Sequence, residues 1–286
     1  MDWIDEFENK LFSTTRANLD IEAAINLKEQ HIPTSLYKYR AINCNALKNL
    51  ENDTIWLADP STFNDPYDCL HTFQTEKLIN FEKINSLKAQ VFKDLSDSQR
   101  RKYEDAINQV MGDELAEINE YQARVIANSF KLCSFSERLD STLMWAHYAD
   151  YHKGFCIEYD FAALPSDDIR KRLLYPVIYR NNLLNATEFY AQALKGQGFN
   201  NLFLSLAALV KAEDWKYEHE WRLVFANATM TEAQTYIVPK PKAVYFGARI
   251  AQEKKHELKR ICDLKAIPTF EMKLDQHRFS LTAQLC

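Results

Sequence analysis

Glu218, Glu220 and Arg222 recur at every second position of Trp215-Lys216-Tyr217-Glu218-His219-Glu220-Trp221-Arg222-Leu223. On a strand, that spacing turns all three to one face. Two neighbouring carboxylates can divide labour: one holds a substrate hydroxyl while the other takes a proton from a nucleophile. The same three residues form a structural ion-pair cluster if Arg222 simply neutralises both acids, and the sequence leaves the two readings even. Trp221 and Leu223 face the core in either case.

Ser134-Phe135-Ser136-Glu137 repeats the period of two. Its hydroxyls can orient a carboxylate or line a sugar pocket; bonding their own backbone at a strand end is the commoner use of serine. In Leu36-Tyr37-Lys38-Tyr39-Arg40, alternation puts Tyr37 and Tyr39 on one face and Leu36, Lys38 and Arg40 on the other. Arginine can fork onto a diphosphate. Tyrosine rings can stack on a base, though core packing is their more frequent use. Asn64-Asp65-Pro66-Tyr67-Asp68 is a turn sequence, of a kind that can also shape a pocket. His147 and His152 are five apart, not the i, i+4 spacing of a helical metal pair. We expect aromatic packing around the loop there, with Tyr148 and His147 reaching a pocket. Tyr39, Asn64 and Asp65 complete the candidates for lining it. No G-x-S-x-G elbow occurs, and no cysteine has a nucleophile's flanking signature.

The elements that must position these residues are legible in outline. Met1 to Gln30 reads as helix, with Pro33 ending it. Strands are expected at 36–40, 54–58, 132–136, 155–160, 175–179, 220–225, 243–246 and 267–270. Helices are expected at 43–50, 143–150 and 253–264, with helical insertions over 80–131 and 186–212. Strands and helices interleave along the whole chain. The expected fold is therefore α+β: one compact domain, 1–286, with a mixed β core, an N-terminal helical segment (1–31) and helical insertions.

Composition bounds the function. The 286 residues carry 40 acids against 35 bases, a formal net charge of -5. No basic excess drives general nucleic-acid binding. Five glycines are too few for glycine-rich phosphate loops, and G-x-G at 196–198 has no third glycine. No apolar run is long enough to span a membrane, and the acidic first ten residues do not suit a secretion signal. The six cysteines form no C-x-x-C pair, so we expect reduced, mostly buried thiols, a cytoplasmic location and no zinc.

The blocks Leu36 to Arg40, Ile55 to Asp68, Leu132 to Glu137, Leu143 to Asp160 and Trp215 to Val224, in this order, resemble the bacterial domain-of-unknown-function family two-nine-seven-one. F-N-D-P-Y-D, M-W-A-H-Y and E-H-E-W-R are its specific motifs here. More loosely, an arginine on the first strand, a Ser-x-Ser strand and a later Glu-x-Glu resemble the arginine-serine-glutamate signature of ADP-ribosyltransferases. Phe135 stands where that motif has threonine. This second resemblance implies a split, mixed β core and NAD as substrate. It puts Arg40 on the NAD phosphates and Ser134 and Ser136 beside the glutamates. Glu220 would bond the nicotinamide ribose and stabilise its cationic state, and Glu218 would activate an acceptor that the sequence does not identify.

Three functions follow as expectations. The first is an NAD-consuming transferase or glycohydrolase, of the kind used as a bacterial toxin or phage-defence effector. The second is a non-catalytic module in which the aromatic residues and Arg40 bind a nucleotide or peptide. The third is a nuclease using Asp65, Asp68, His147 and Glu220 with magnesium or manganese.

Overall fold

The computed structural model describes residues 2–72, 74, 96–102, 104–105, 109, 129–194, 200, 202–226 and 234–286. Its first elements are helices α1 (Trp3–Leu11) and α2 (Ile21–Glu29). The single helix expected over 1–30 is thus two. Ser13-Thr14-Thr15 interrupts it: the Ser13 hydroxyl accepts from Thr15 N–H, and Asp20 then caps α2 by accepting from Ala23 N–H. Short hydroxyl side chains compete for backbone groups, which stops a helix without any glycine or proline.

Strand β1 (Leu36–Arg40) leads to α3 (Cys44–Glu51), capped by Asn43, and to β2 (Thr54–Trp56). Next come β3 (His71–Thr72), β4 (Phe130–Ser136), α4 (Thr142–Tyr148) and β5 (Phe155–Tyr159). The short α5 (Ile169–Arg172) precedes β6 (Leu174–Pro176) and β7 (Ile178–Arg180), so the strand expected at 175–179 is broken at Val177. Then follow β8 (Leu184–Asn185), α6 (Thr187–Leu194), α7 (Phe203–Ala207), β9 (Val210–Ala212) and β10 (Glu220–Ala226). The helical reading of 186–212 therefore fails at its end, where Val210 to Ala212 pair with β7 in parallel. Most of the insertion expected over 80–131 lies outside the described residues. The chain ends with β11 (Thr235–Ile237), β12 (Ala243–Phe246), α8 (Gln252–Leu264), β13 (Thr269–Leu274) and β14 (Leu281–Leu285), the last not expected from sequence.

Eight strands form one sheet in the order β14-β13-β12-β5-β1-β4-β10-β6. β12 and β13 run parallel; the other ladders are antiparallel, so the sheet is mixed and the fold is α+β. One face is apolar: Leu36, Phe135, Ile157, Trp221 and Leu223 pack with Leu50 of α3 and Leu258 and Ile261 of α8. The opposite face carries two separate apolar clusters. One joins Leu132 and Val224 to Phe7 of α1 and Phe203 of α7. The other joins Tyr39, Cys156 and Tyr245 to Trp145 of α4. Between them the same face presents Ser134, Ser136, Glu220 and Arg222.

The central pairing is uneven. β1 is laddered to β5 at five positions but to β4 only at Tyr37–Ser136. Beyond that pair β1 and β4 part, and the sheet opens beside the polar row. Gly154 holds the β5 side close, since a Cβ there would lie 2.2 Å from the Arg40 carbonyl oxygen.

Candidate functional site

The opening is a cavity with roughly 180 Å³ of solvent-sized space. Strands β1, β4 and β10 form its floor, α4 and the turn at 63–68 its rim.

Glu218 does not lie on the strand, contrary to the alternating reading. It ends a 3-10 turn over Glu213–Glu218, and His219 adopts a left-handed φ of 44° before β10 begins at Glu220. The Ser136 hydroxyl pins that turn by donating to the Glu218 carbonyl at 2.5 Å. The reversal brings both carboxylates to one buried cluster. Arg222 donates from Nε to Glu220 Oε1 (2.7 Å) and from Nη2 to Glu220 Oε2 (3.2 Å). It also grips Asp68 with two bonds of 2.7 Å and donates to the Ala208 carbonyl. Lys211, from β9, donates to Glu218 Oε2 (2.6 Å) and Glu220 Oε2 (2.8 Å). The Tyr148 hydroxyl completes the shell of Glu218 by donating to Oε1 at 2.6 Å.

Three carboxylates thus meet two cations, all of them buried. Burial pushes the Glu220 carboxyl up, but Arg222 and Lys211 outweigh it and hold the group well below the usual carboxylate range. Burial, reinforced by the charge on Glu220, raises Glu218 instead. Environments that drive two neighbouring carboxyls apart fit them for different roles. Burial and then Glu218 also push the Tyr148 hydroxyl up, so it stays a proton donor.

The cavity collects Tyr39, Asn64, Ser134, Ser136, Tyr148, Glu218 and Glu220 from the expected set. Arg40 is not among its lining residues. It shares the parity of Leu36, and it lies at the end of β1 beyond the one ladder pair with β4, where β1 is still paired with β5, opposite Phe155. Lys38 takes the place at the opening and donates to the Ser134 carbonyl at 2.8 Å. Asp65 also stays outside: its carboxylate accepts from Tyr67 N–H and shapes the turn. His147 is exposed, its ring 6.2 Å from that of Tyr148.

Sequence reasoning missed Lys211, Lys38 as a lining residue, and Asp68 as the partner of Arg222. A lysine inside the apolar run Leu209-Val210-Lys211-Ala212 was the available signal, because lysine is rarely buried without partners. Among the described residues no group of three or more His, Cys, Asp or Glu side chains is placed to hold a metal. Of the residues expected for a nuclease, Asp68 and Glu220 meet in the cavity, both bonded to Arg222, while Asp65 and His147 are not among its lining residues.

Residues 144–223 match the model of a family described as Protein of unknown function (DUF2971). The DUF2971 resemblance is shown over that span. It contains M-W-A-H-Y and E-H-E-W-R, so the DUF2971 segment supplies Tyr148, Lys211, Glu218, Glu220 and Arg222. The Asp68 partner and the β1 and β4 floor come from outside it. No curated protein and no solved structure matches the chain. All six cysteines are free, four of them buried. Among the described residues no helix is long and apolar enough to cross a membrane.

Proposed function

We propose that the cavity is the active site of an NAD-consuming transferase or glycohydrolase, with Glu218 as the acting carboxylate. The observation that carries this reading is the Glu218 carboxyl, raised in pKa at the cavity wall between Tyr148 and Lys211, in a cluster with one acid more than its bases. Such a site favours positive charge. In NAD the pyridinium–ribose bond breaks with its electron pair moving to the nicotinamide nitrogen. Nicotinamide leaves neutral and the ribose becomes an oxocarbenium-like cation, which a fixed carboxylate stabilises. Water or another acceptor then bonds to the ribose carbon, and its proton passes to Glu218.

In this reading Glu218 takes both of the roles expected of the pair, and Glu220 takes neither. Both Glu220 oxygens are held by cations, Arg222 and Lys211, whereas one Glu218 oxygen has only the neutral Tyr148 hydroxyl, so Glu220 serves to fix the cluster and Glu218 acts. Ser136 places Glu218 through its backbone.

The test is nicotinamide release from NAD by the purified chain, with and without cell extract as a source of acceptor. Release by the wild type, lost in Glu218→Gln with the melting temperature kept, is the expected result. Equal rates remove Glu218 from the chemistry, and a wild type that leaves NAD intact overturns the reading.

A second reading has its own support: every carboxylate oxygen of Asp68, Glu218 and Glu220 already has a partner within hydrogen-bond distance. A site so saturated suits a non-catalytic nucleotide-binding module. It is favoured if NAD or ADP raises the melting temperature with no turnover.

A further inference from the structure

We propose that Lys38 and the Ser134 hydroxyl form an anion subsite for the phosphate groups of a nucleotide. The inference rests on the reading of this cavity as the functional site, but not on turnover there.

Three cations line the cavity: Lys38, Lys211 and Arg222. A guanidinium has five N–H donors, and those of Arg222 go to Glu220 twice, Asp68 twice and the Ala208 carbonyl. Lys211 bonds Glu218 and Glu220 and stands 3.9 Å from Asp68. Neither has charge to spare for a ligand. Lys38 differs. Among the described residues its ammonium has one hydrogen bond, to the Ser134 carbonyl, and no ion pair. It lies 5.8 Å from the centre of the Phe135 ring, half-buried. Two of its three donors are therefore unengaged at a partly desolvated site, where a charge–charge contact is stronger than in water. The Ser134 hydroxyl also faces the cavity with no hydrogen bond among the described residues.

The parting of β1 from β4 makes this possible. With the ladder broken beyond Tyr37–Ser136, the Lys38 side chain reaches the gap from the strand's apolar side. The cavity is then polar in two senses along β4. Ser136 marks the acidic end, bonded to Glu218, and Ser134 the cationic end, bonded to Lys38. A ligand with a cationic or neutral ribosyl end and an anionic phosphate end matches that order.

The experiment is calorimetric titration of the full chain with ADP, adenosine and pyrophosphate. ADP should bind, and Lys38→Met should weaken it roughly tenfold or more, the usual size of a charged hydrogen bond. Lys38→Arg should stay within about threefold of wild type on the same scale. Adenosine binding should not respond to Lys38→Met, and Arg40→Met, a charge lost from the same strand outside the cavity, should leave ADP affinity unchanged. Absence of ADP binding by the wild type, or equal ADP affinity in a folded Lys38→Met, overturns the subsite. ADP binding that depends on Lys38, together with intact NAD in the turnover assay, keeps the subsite and rejects the enzymatic reading.

Discussion

Two buried lysines sit in different parts of the molecule and face opposite electrostatic fates. Lys28, on α2, donates to the Lys171 and Arg172 carbonyls at 2.9 and 2.7 Å and lies 4.7 Å above the Tyr175 ring. Dipoles and a ring are its direct partners, and burial lowers its pKa from 10.5 to about 7. Lys211 is nearly as buried, and burial lowers it too. There the charges of Glu220, Glu218 and Asp68 win, and its pKa rises. Burial is common to both sites; at Lys28 the single acid Glu29 is opposed by Arg172 and Lys171, whereas at Lys211 three carboxylates face Arg222, and that balance of charge decides the sign. The first lysine fastens an N-terminal helix to the body of the protein. The second holds a carboxylate cluster at a cavity.

Substitutions should separate the two sites. Arg222→Met strands Asp68 and Glu220 in the interior and should cost about 3–5 kcal/mol in urea unfolding, the range for breaking a buried pair. A loss under 1 kcal/mol would show water entering the cluster. Lys28→Met leaves two carbonyls without a donor and should cost less, about 1–3 kcal/mol. Its distinctive effect is on pH. The unfolded chain binds a proton at Lys28 between about pH 7 and 10.5 that the folded chain has released. Wild-type stability should therefore rise with pH across that window, and Lys28→Met should flatten the rise. Equal slopes in the two proteins would show Lys28 to be solvated.

Smaller effects should distinguish the two glutamates. Glu220 is held low by Arg222 and Lys211. It stabilises the fold above the ordinary carboxylate range, a contribution lost as pH falls. Thermal melts at pH 7 should therefore show Glu220→Gln losing about 2 kcal/mol and Glu218→Gln less than about 1 kcal/mol. The reverse order would exchange their roles. Tyr148→Phe, which removes one bond to Glu218, should cost about 0.5–1.5 kcal/mol.

Much of this was legible along the chain, for identifiable reasons. Strands β1, β4, β5, β10 and β12 show in the sequence because alternation and β-branched or aromatic content are local. The helix expected at 43–50 is local too, and the structure adds Asn43 as its cap. Ser134, Ser136, Glu218 and Glu220 stood out by spacing and do line one cavity. The fate of Arg40 was not legible. Alternation fixes which face it takes relative to Leu36, but not how far each neighbouring strand runs beside it: β5 pairs with β1 through Arg40, while β4 pairs with it only at Tyr37. β14 escaped notice because an exposed edge strand shows little apolar periodicity: only Leu281 of its five residues is buried.

The amino-acid order alone settled the α+β class, the period-two strands and the placing of acids and hydroxyls close together along the chain. All of these depend on interactions between near neighbours. The tertiary structure decided the rest. His219's left-handed turn brought Glu218 into line with a strand it does not belong to, Asp68 and Lys211 arrived from distant segments, and Lys38 replaced Arg40 at the opening. Those outcomes depend on which strands pair and where a ladder ends, and strand pairing is set by packing over the whole sheet.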